Sequence, residues 1–134
     1  MSDNTLASST SSCGIIWIKL AVLYLLVGVA LGIGMGASED FRLHAVHAHI
    51  NLLGWATMAL AGLIYTVFPA AGTSKLAKVH FWLQNISLPV MMGALTMLLL
   101  GNPKVIPILA VAEFVAAAGV ITFAINIFVN LKKA

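Results

Sequence analysis

The sequence predicts an all-α membrane protein built as a bundle of four transmembrane helices. Its 134 residues are 61% hydrophobic and 8% charged, with a mean hydropathy of +1.05, whereas soluble domains carry about 25% charged residues. Four segments are also long and apolar enough to cross a hydrocarbon core, which takes about 20 helical residues. They run approximately over residues 15–35, 45–68, 79–101 and 105–130.

The connections between these segments are short, so neighbouring helices must run antiparallel. Residues 15–134 then form one four-helix domain. Residues 1–14 are polar and rich in Ser and Thr, and we expect them to be a disordered tail. Cys13 lies in this tail as the only cysteine, so no intramolecular disulfide is possible, and we assign it no role.

The basic residues predict the orientation, because Lys and Arg near helix ends are retained on the cytoplasmic side. Placing both termini inside leaves two basic residues outside, Arg42 and Lys104, against five on the cytoplasmic face: Lys19, Lys75, Lys78, Lys132 and Lys133. We therefore expect a multi-pass protein of the bacterial inner membrane. The basic residues are dispersed, so no nucleic-acid partner is expected.

The first helix carries Gly28, Gly32 and Gly36 at four-residue intervals. Such a strip lets another surface approach the backbone closely, and helix packing is its ordinary role. The strip also lies toward the same end as the histidines of the second helix. An alternative role is therefore to leave room for a flat ligand beside them.

The second helix begins with three histidines, His44, His47 and His49. Imidazoles are costly to bury in a bilayer and usually serve a metal, a cofactor or a proton path there. At about 100° per residue, His47 and His49 point to opposite sides of the helix, while Asn51 and Trp55 share the side of His44 and His47. The pair cannot easily chelate one ion, but it can offer one imidazole to each of two neighbouring sites.

The third and fourth helices each contain one further residue with a possible functional role, His80 and Glu113. His80 is expected in an aromatic belt at headgroup level, almost a full membrane thickness from His49. Glu113 is the only carboxylate within a span, roughly 13 Å of helix beyond Lys104, which nearly matches the depth of His49. It is either a group that orients a ligand histidine or handles protons, or a protonated acid hydrogen-bonded to another helix.

Haem fits these residues better than a mononuclear metal. A porphyrin needs one or two axial imidazoles, apolar walls, a close-approaching small-residue surface and a cation near its propionates. The sequence offers His47 or His49 as the imidazole and the Ala-rich face of the fourth helix as an apolar wall. The glycines of the first helix, Gly32 among them, offer the close approach, and Arg42 offers the cation. A copper or zinc site is the second interpretation, because the ligands beyond His44 and His47 would have to come from elsewhere. Methionines could bind copper, but here they are interpreted as lipid-facing or core side chains.

The run His49-Ile50-Asn51, a helix length ahead of Gly62-Leu63-Ile64-Tyr65 and Pro69, resembles the second helix of the haem-copper oxidase catalytic subunit, especially the cbb3-type oxidases and nitric oxide reductases. The run His47-Ala48-His49 is similar to that family's tenth helix. The resemblance covers mainly residues 42–69 and implies that His49 is a low-spin haem ligand. The chain looks like one of the family's three four-helix arcs.

This chain departs from the family in its copper centre and its size. It has no adjacent His-His pair, no tyrosine cross-link site and no second or third arc. Oxygen reduction with proton pumping is therefore not supported, and whether the protein is an enzyme stays open; if it is one, the resemblance implies an oxidoreductase.

The opposed histidines favour a closed homo-oligomer, with a trimer as the expected form. Each haem b would be held by His49 of one protomer and His47 of the next, with Arg42 on a propionate. Asn51, Trp55 or Glu113 would orient the ligands. Such a haem would carry single electrons, with quinol or a periplasmic donor as partner. If His44 took part or one ligand dissociated, it would instead bind nitric oxide or oxygen. The alternative is a copper, zinc or proton path that uses the same histidines and Glu113.

Overall fold

The computed structural model describes residues 11–131, which form four long helices. We name them α1 (Ser11–Ser38), α2 (His44–Val67), α3 (Lys75–Leu99) and α4 (Ile106–Asn130). A helical turn, Pro69–Gly72, joins α2 to α3, and a 3₁₀ turn, Pro103–Val105, precedes α4.

The helix ends follow local chemistry. Ser74 caps α3 by accepting a hydrogen bond from the amide of Ala77, and α3 ends before Gly101, whose φ of 100° favours glycine. Helix α1 begins at Ser11, four residues before the predicted boundary at residue 15. The rest of the expected tail, residues 1–10, lies outside the described residues, as do residues 132–134.

All four helices are long and apolar enough to cross a membrane, with mean hydropathies between 1.3 and 2.3. The prediction of four transmembrane helices is confirmed in this sense. At most 33% of the most apolar stretch of each helix is buried inside the chain. Most apolar side chains therefore face outward, as expected for a protein whose surroundings are lipid or further copies of itself.

The four helices pack mainly in chain order. The most extensive contacts join α3 to α4 and α1 to α2, whereas α2 and α3 share fewer, and α1 and α4 make few or none. The described chain is thus an open arrangement of two antiparallel hairpins. We call the end that holds residues 11, 67, 75 and 130 the terminal end, and the other end, with the loops 39–43 and 100–105, the histidine end.

Helix α2 is not a regular α-helix throughout. Its central segment, Ile50–Ala56, is a π-helix between the α-helical segments His44–His49 and Thr57–Val67. Two side chains bond to the carbonyl groups of this region, since Asn51 donates to the carbonyl of His47 at 2.9 Å and Thr57 to that of Leu52 at 2.8 Å. Such π-helical turns are rare and often lie at functional sites. This one begins directly after His49.

Candidate functional site

His47 packs against α1 of its own chain. Its Nδ1 lies 2.9 Å from the carbonyl oxygen of Gly28, and a Cβ placed on Gly32 would come within 2.9 Å of the ring. A Cβ on Gly28 would likewise meet the amide of Asn51 at 2.6 Å. The absence of side chains at these two glycines therefore makes room for His47 and Asn51. The ring of His47 covers Gly32, so this glycine serves helix packing. A Cβ placed on Gly36 would meet no atom within 4 Å.

His49 faces the opposite way, toward an open groove between α2, α3 and α4. The groove has a volume of about 300 Å³. Its polar residues are His49, Gln84 and Glu113, and its apolar walls comprise Leu53, Leu88, Met91, Ala116, Ala117 and Val120. The depth argument from helix rise thus correctly brings Glu113 and His49 to one place. Gln84 joins them there, with its amide donating to the carbonyl of Leu53 at 3.1 Å.

The three imidazoles of the histidine end share one hydrogen-bonding pattern. Nδ1 of His44 lies 3.1 Å from the carbonyl oxygen of Phe41, and Nδ1 of His49 lies 2.7 Å from that of Ala45. His47 makes the same kind of bond to Gly28. A carbonyl can only accept, so a neutral ring in such a contact carries its proton on Nδ1 and its lone pair on Nε2. This is the tautomer that presents Nε2 to a metal. In His47, this Nε2 also lies 3.5 Å from the amide nitrogen of Asn51.

Arg42 is paired within its own loop. Its guanidinium donates to both carboxylate oxygens of Asp40, at 2.6 Å and 3.0 Å, and the side chain is 63% exposed. The hydrogen bonds from Arg42 hold the pKa of Asp40 at about 2, below its usual 3.8. Any propionate at Arg42 must therefore compete with Asp40 or share the guanidinium with it.

The other predicted site residues lie apart. His44 is exposed beside the loop, and Trp55 is partly buried against the apolar core within the π-helical segment. Within residues 11–131, no three His, Cys, Asp or Glu side chains come together to hold a metal ion. Met58 and Met91 are buried in the core, whereas Met97 is exposed.

The interpretation of His80 as part of a headgroup belt is wrong, because its side chain is only 1% exposed. Its Nδ1 lies 2.8 Å from the hydroxyl of Tyr65. The ring stacks at a tilt between Trp17 and Phe123, with centroids 4.5 Å and 5.0 Å away. His80 lies at the expected depth in the membrane, but its side chain turns inward. There the aromatic rings pack against the imidazole and the hydroxyl of Tyr65 gives it a hydrogen-bond partner.

His80 belongs to a buried polar cluster at the terminal end that the sequence did not reveal. Asn126 donates to the Tyr65 hydroxyl at 3.3 Å and to the carbonyl of Ala71 at 3.1 Å. It accepts from Ser74 at 2.8 Å and from Asn130 at 2.7 Å. A signal existed, since polar residues within apolar helices usually bond to other helices. Nothing in the sequence named their partners.

Cys13 lies near this cluster. Its thiol donates to the carbonyl of Gly72 at 3.3 Å, so it helps to hold α1 against the turn between α2 and α3. This is a packing contact, and it gives the cysteine a structural place.

Comparisons with protein-family models, with curated proteins and with solved structures found no match to this chain. The resemblance to the haem-copper oxidases therefore remains a prediction from residues 42–69.

Proposed function

We propose that this chain is an integral membrane haem b protein in which His49 and His47 would hold the iron. The observation that supports this best is the shared tautomer of the imidazoles at the histidine end. Each Nδ1 is held by a backbone carbonyl, so Nε2 carries the lone pair that iron ligation requires. His47 faces α1 of its own chain, whereas His49 faces the groove between α2, α3 and α4, so the two imidazoles do not serve one site within a chain.

The lining of the groove at His49 supports the proposal. Its walls are mostly apolar and include Ala116 and Ala117, whose small side chains permit close approach. Its volume of about 300 Å³ is at the lower end of the range for small-molecule pockets, roughly 300–1,000 Å³. One chain would enclose only part of the macrocycle. A second copy would cover the remainder and bring its His47, which supports the proposed homo-oligomer, with a trimer as its closed form.

Bound with two imidazoles, a b-type haem supplies single-electron transfer, and with one imidazole removed it offers a position for nitric oxide or oxygen. The chain's own residues hold the ligand rings by their Nδ1 bonds. Glu113 and Gln84 add polar groups to the same groove. The proposed electron donor is quinol or a periplasmic protein, and the proposed location is the bacterial inner membrane with the histidine end outward.

An optical spectrum of the detergent-purified full chain, oxidised and then reduced with dithionite, tests the proposal. We expect a Soret band and sharp reduced α and β bands of low-spin haem. His47→Ala and His49→Ala should each abolish these bands. The matched control is His44→Ala, the same substitution at an exposed imidazole of the same helix, which should keep them. A wild-type reduced spectrum in either ligand variant would contradict the ligand assignment.

Co-expression of His47→Ala and His49→Ala tests whether two protomers share the ligands. In a mixed oligomer, one protomer's His49 and its neighbour's His47 still form an intact site. Low-spin haem should therefore return in mixed oligomers at a fraction of its wild-type amount, although each variant alone lacks it. Failure of the mixed sample to recover haem, with oligomers verified by differential tags, would rule out ligand sharing.

A second candidate function is a proton or metal-ion path. His49, Glu113 and Gln84 line one groove within the membrane-spanning helices, and ionisable groups placed so usually mark such paths. A colourless preparation that contains zinc or copper, or that carries protons in liposomes and loses this on Glu113→Gln, would favour this function over haem binding.

A further inference from the structure

A second groove lies at the terminal end, between α1 and α3. Its residues are Cys13, Ile16, Ala77, Lys78, Phe81 and Trp82, and its volume is about 220 Å³. The walls are almost entirely apolar, and Lys78 in the first turn of α3 supplies the charge at the end nearest the membrane surface. Trp82, one turn deeper, is 62% exposed. Tryptophan with an apolar body and a polar tip is typical of the membrane–water interface.

The charge around this groove is positive and uncompensated within residues 11–131. Lys78 has Lys75 three residues before it, so both lie on one side of α3. On α1, Lys19 follows Ile16 by three residues and lies on nearly the same side. All three lysines are exposed. The carboxylates of the described chain are Glu39 and Asp40 in the loop at the histidine end and Glu113 in the other groove.

The positions of two lysines also conflict with local helix electrostatics. Lys75 and Lys78 lie at the start of α3, where the helix dipole favours anions, and no acidic residue is present in that first turn. Such a conflict is more easily tolerated where an external anion lies near the helix start. Basic pockets between transmembrane helices are known to bind anionic lipid headgroups.

We propose that this groove binds an anionic phospholipid, with the phosphate of the headgroup at Lys78 and Lys75 and an acyl chain along Ile16, Phe81 and Trp82. The apolar wall accounts for the chain and the lysines for the headgroup charge, so the site needs both parts of the lipid. The proposal is independent of haem, because the groove lies at the opposite end of the helices from His47 and His49.

Native mass spectrometry of the full chain in detergent, titrated with palmitoyl-oleoyl phosphatidylglycerol or the matching phosphatidylcholine, tests this. We expect phosphatidylglycerol to bind more tightly. A lysine near the surface contributes about 1 kcal/mol to attraction of anionic lipid, which is about five-fold in affinity. Lys78→Gln should therefore weaken phosphatidylglycerol binding about five-fold. The matched control, Lys104→Gln at the histidine end, removes the same charge and should leave this affinity unchanged.

Two competitors separate the lipid from its parts. Neither inorganic phosphate nor dihexanoyl phosphatidylglycerol, whose chains are too short to follow the groove, should displace the long-chain lipid at equal concentration. Displacement by either one overturns the proposal, as does equal binding of the two long-chain lipids. It is also overturned if Lys104→Gln weakens binding as much as Lys78→Gln, because net charge would then be the cause.

Discussion

At the scale of single residues, the glycines of α1 decide where His47 lies. The amide of Asn51 occupies the space beside Gly28, and the ring of His47 occupies the space beside Gly32. A Cβ on Gly36, in contrast, would meet nothing within 4 Å. One kind of residue, repeated every fourth position, therefore has two different roles along one helix.

Gly32→Ala should destabilise the protein, because the added methyl group would come within 2.9 Å of the His47 ring. Overpacking of this kind costs about 1–3 kcal/mol. Gly36→Ala is the same change four residues later in open space, and should be neutral or stabilising by about 0.5–1 kcal/mol through helix propensity. Thermal unfolding followed by circular dichroism in detergent measures both. Equal effects would show that the close approach of His47 to α1 is absent in solution.

The Asp40–Arg42 pair determines a pH dependence in the loop before α2. Arg42 lowers the pKa of Asp40 to about 2 in the folded chain, from 3.8 without this partner. The contribution of the pair to the folded loop is therefore complete above about pH 4 and is lost as pH falls toward 2. Carbon-detected nuclear magnetic resonance of Asp40 should show titration near pH 2. In Arg42→Gln it should return to the ordinary range, and an unchanged titration would contradict the pairing.

At the scale of elements, the π-helical segment of α2 is the departure from regular structure. Its i→i+5 bonding accommodates one more residue per turn than the neighbouring α-helix. As a result, the segment His44–His49 is rotated about the helix axis relative to Thr57–Val67, compared with its position in an unbroken α-helix. The sequence predicts a continuous helix here, since its apolar residues carry no mark of a change in hydrogen-bonding register.

Deleting Leu52, which is 64% exposed in the π-helical segment, should be tolerated at a cost of about 1–2 kcal/mol, because one π-helical turn can become α-helical and absorb the loss. The matched control deletes Leu60, 58% exposed in the α-helical part. That deletion rotates one flank by about 100° and misplaces Ala61 and Tyr65, so we expect no stable fold. Helix content from circular dichroism and the thermal unfolding temperature compare the two deletions. If both deletions destabilise the protein equally severely, the π-helical segment is contradicted.

At the scale of the whole molecule, two polar regions lie at opposite ends of an open arrangement of helices. The cluster around Tyr65 joins α2, α3, α4 and the turn Pro69–Gly72 at the terminal end. At the histidine end, the groove of His49 remains open between α2, α3 and α4. The first region holds the helices together, and the second is available for a ligand.

Tyr65→Phe should destabilise the four-helix unit by about 1–2 kcal/mol, because it removes the hydroxyl that bonds to His80 and Asn126 across helices. Tyr24→Phe is the matched control, since within residues 11–131 no hydrogen bond of the half-buried Tyr24 hydroxyl is found. Unfolding in a denaturing detergent should separate the two variants. If both variants lose equally little stability, the terminal cluster does not hold the helices together.

The sequence by itself determined the four membrane-spanning helices, because hydropathy and length reflect transfer of side chains into lipid and need no knowledge of neighbours. It also determined that His47 and His49 diverge and that Glu113 reaches the depth of His49, since helix rise and rotation are local geometry. Only the tertiary structure decided that His47 enters a glycine gap on α1, that His80 turns inward to Tyr65, and that α2 contains a π-helical segment. These depend on which helix faces which, and packing between apolar surfaces of similar composition leaves no periodic signal in the chain.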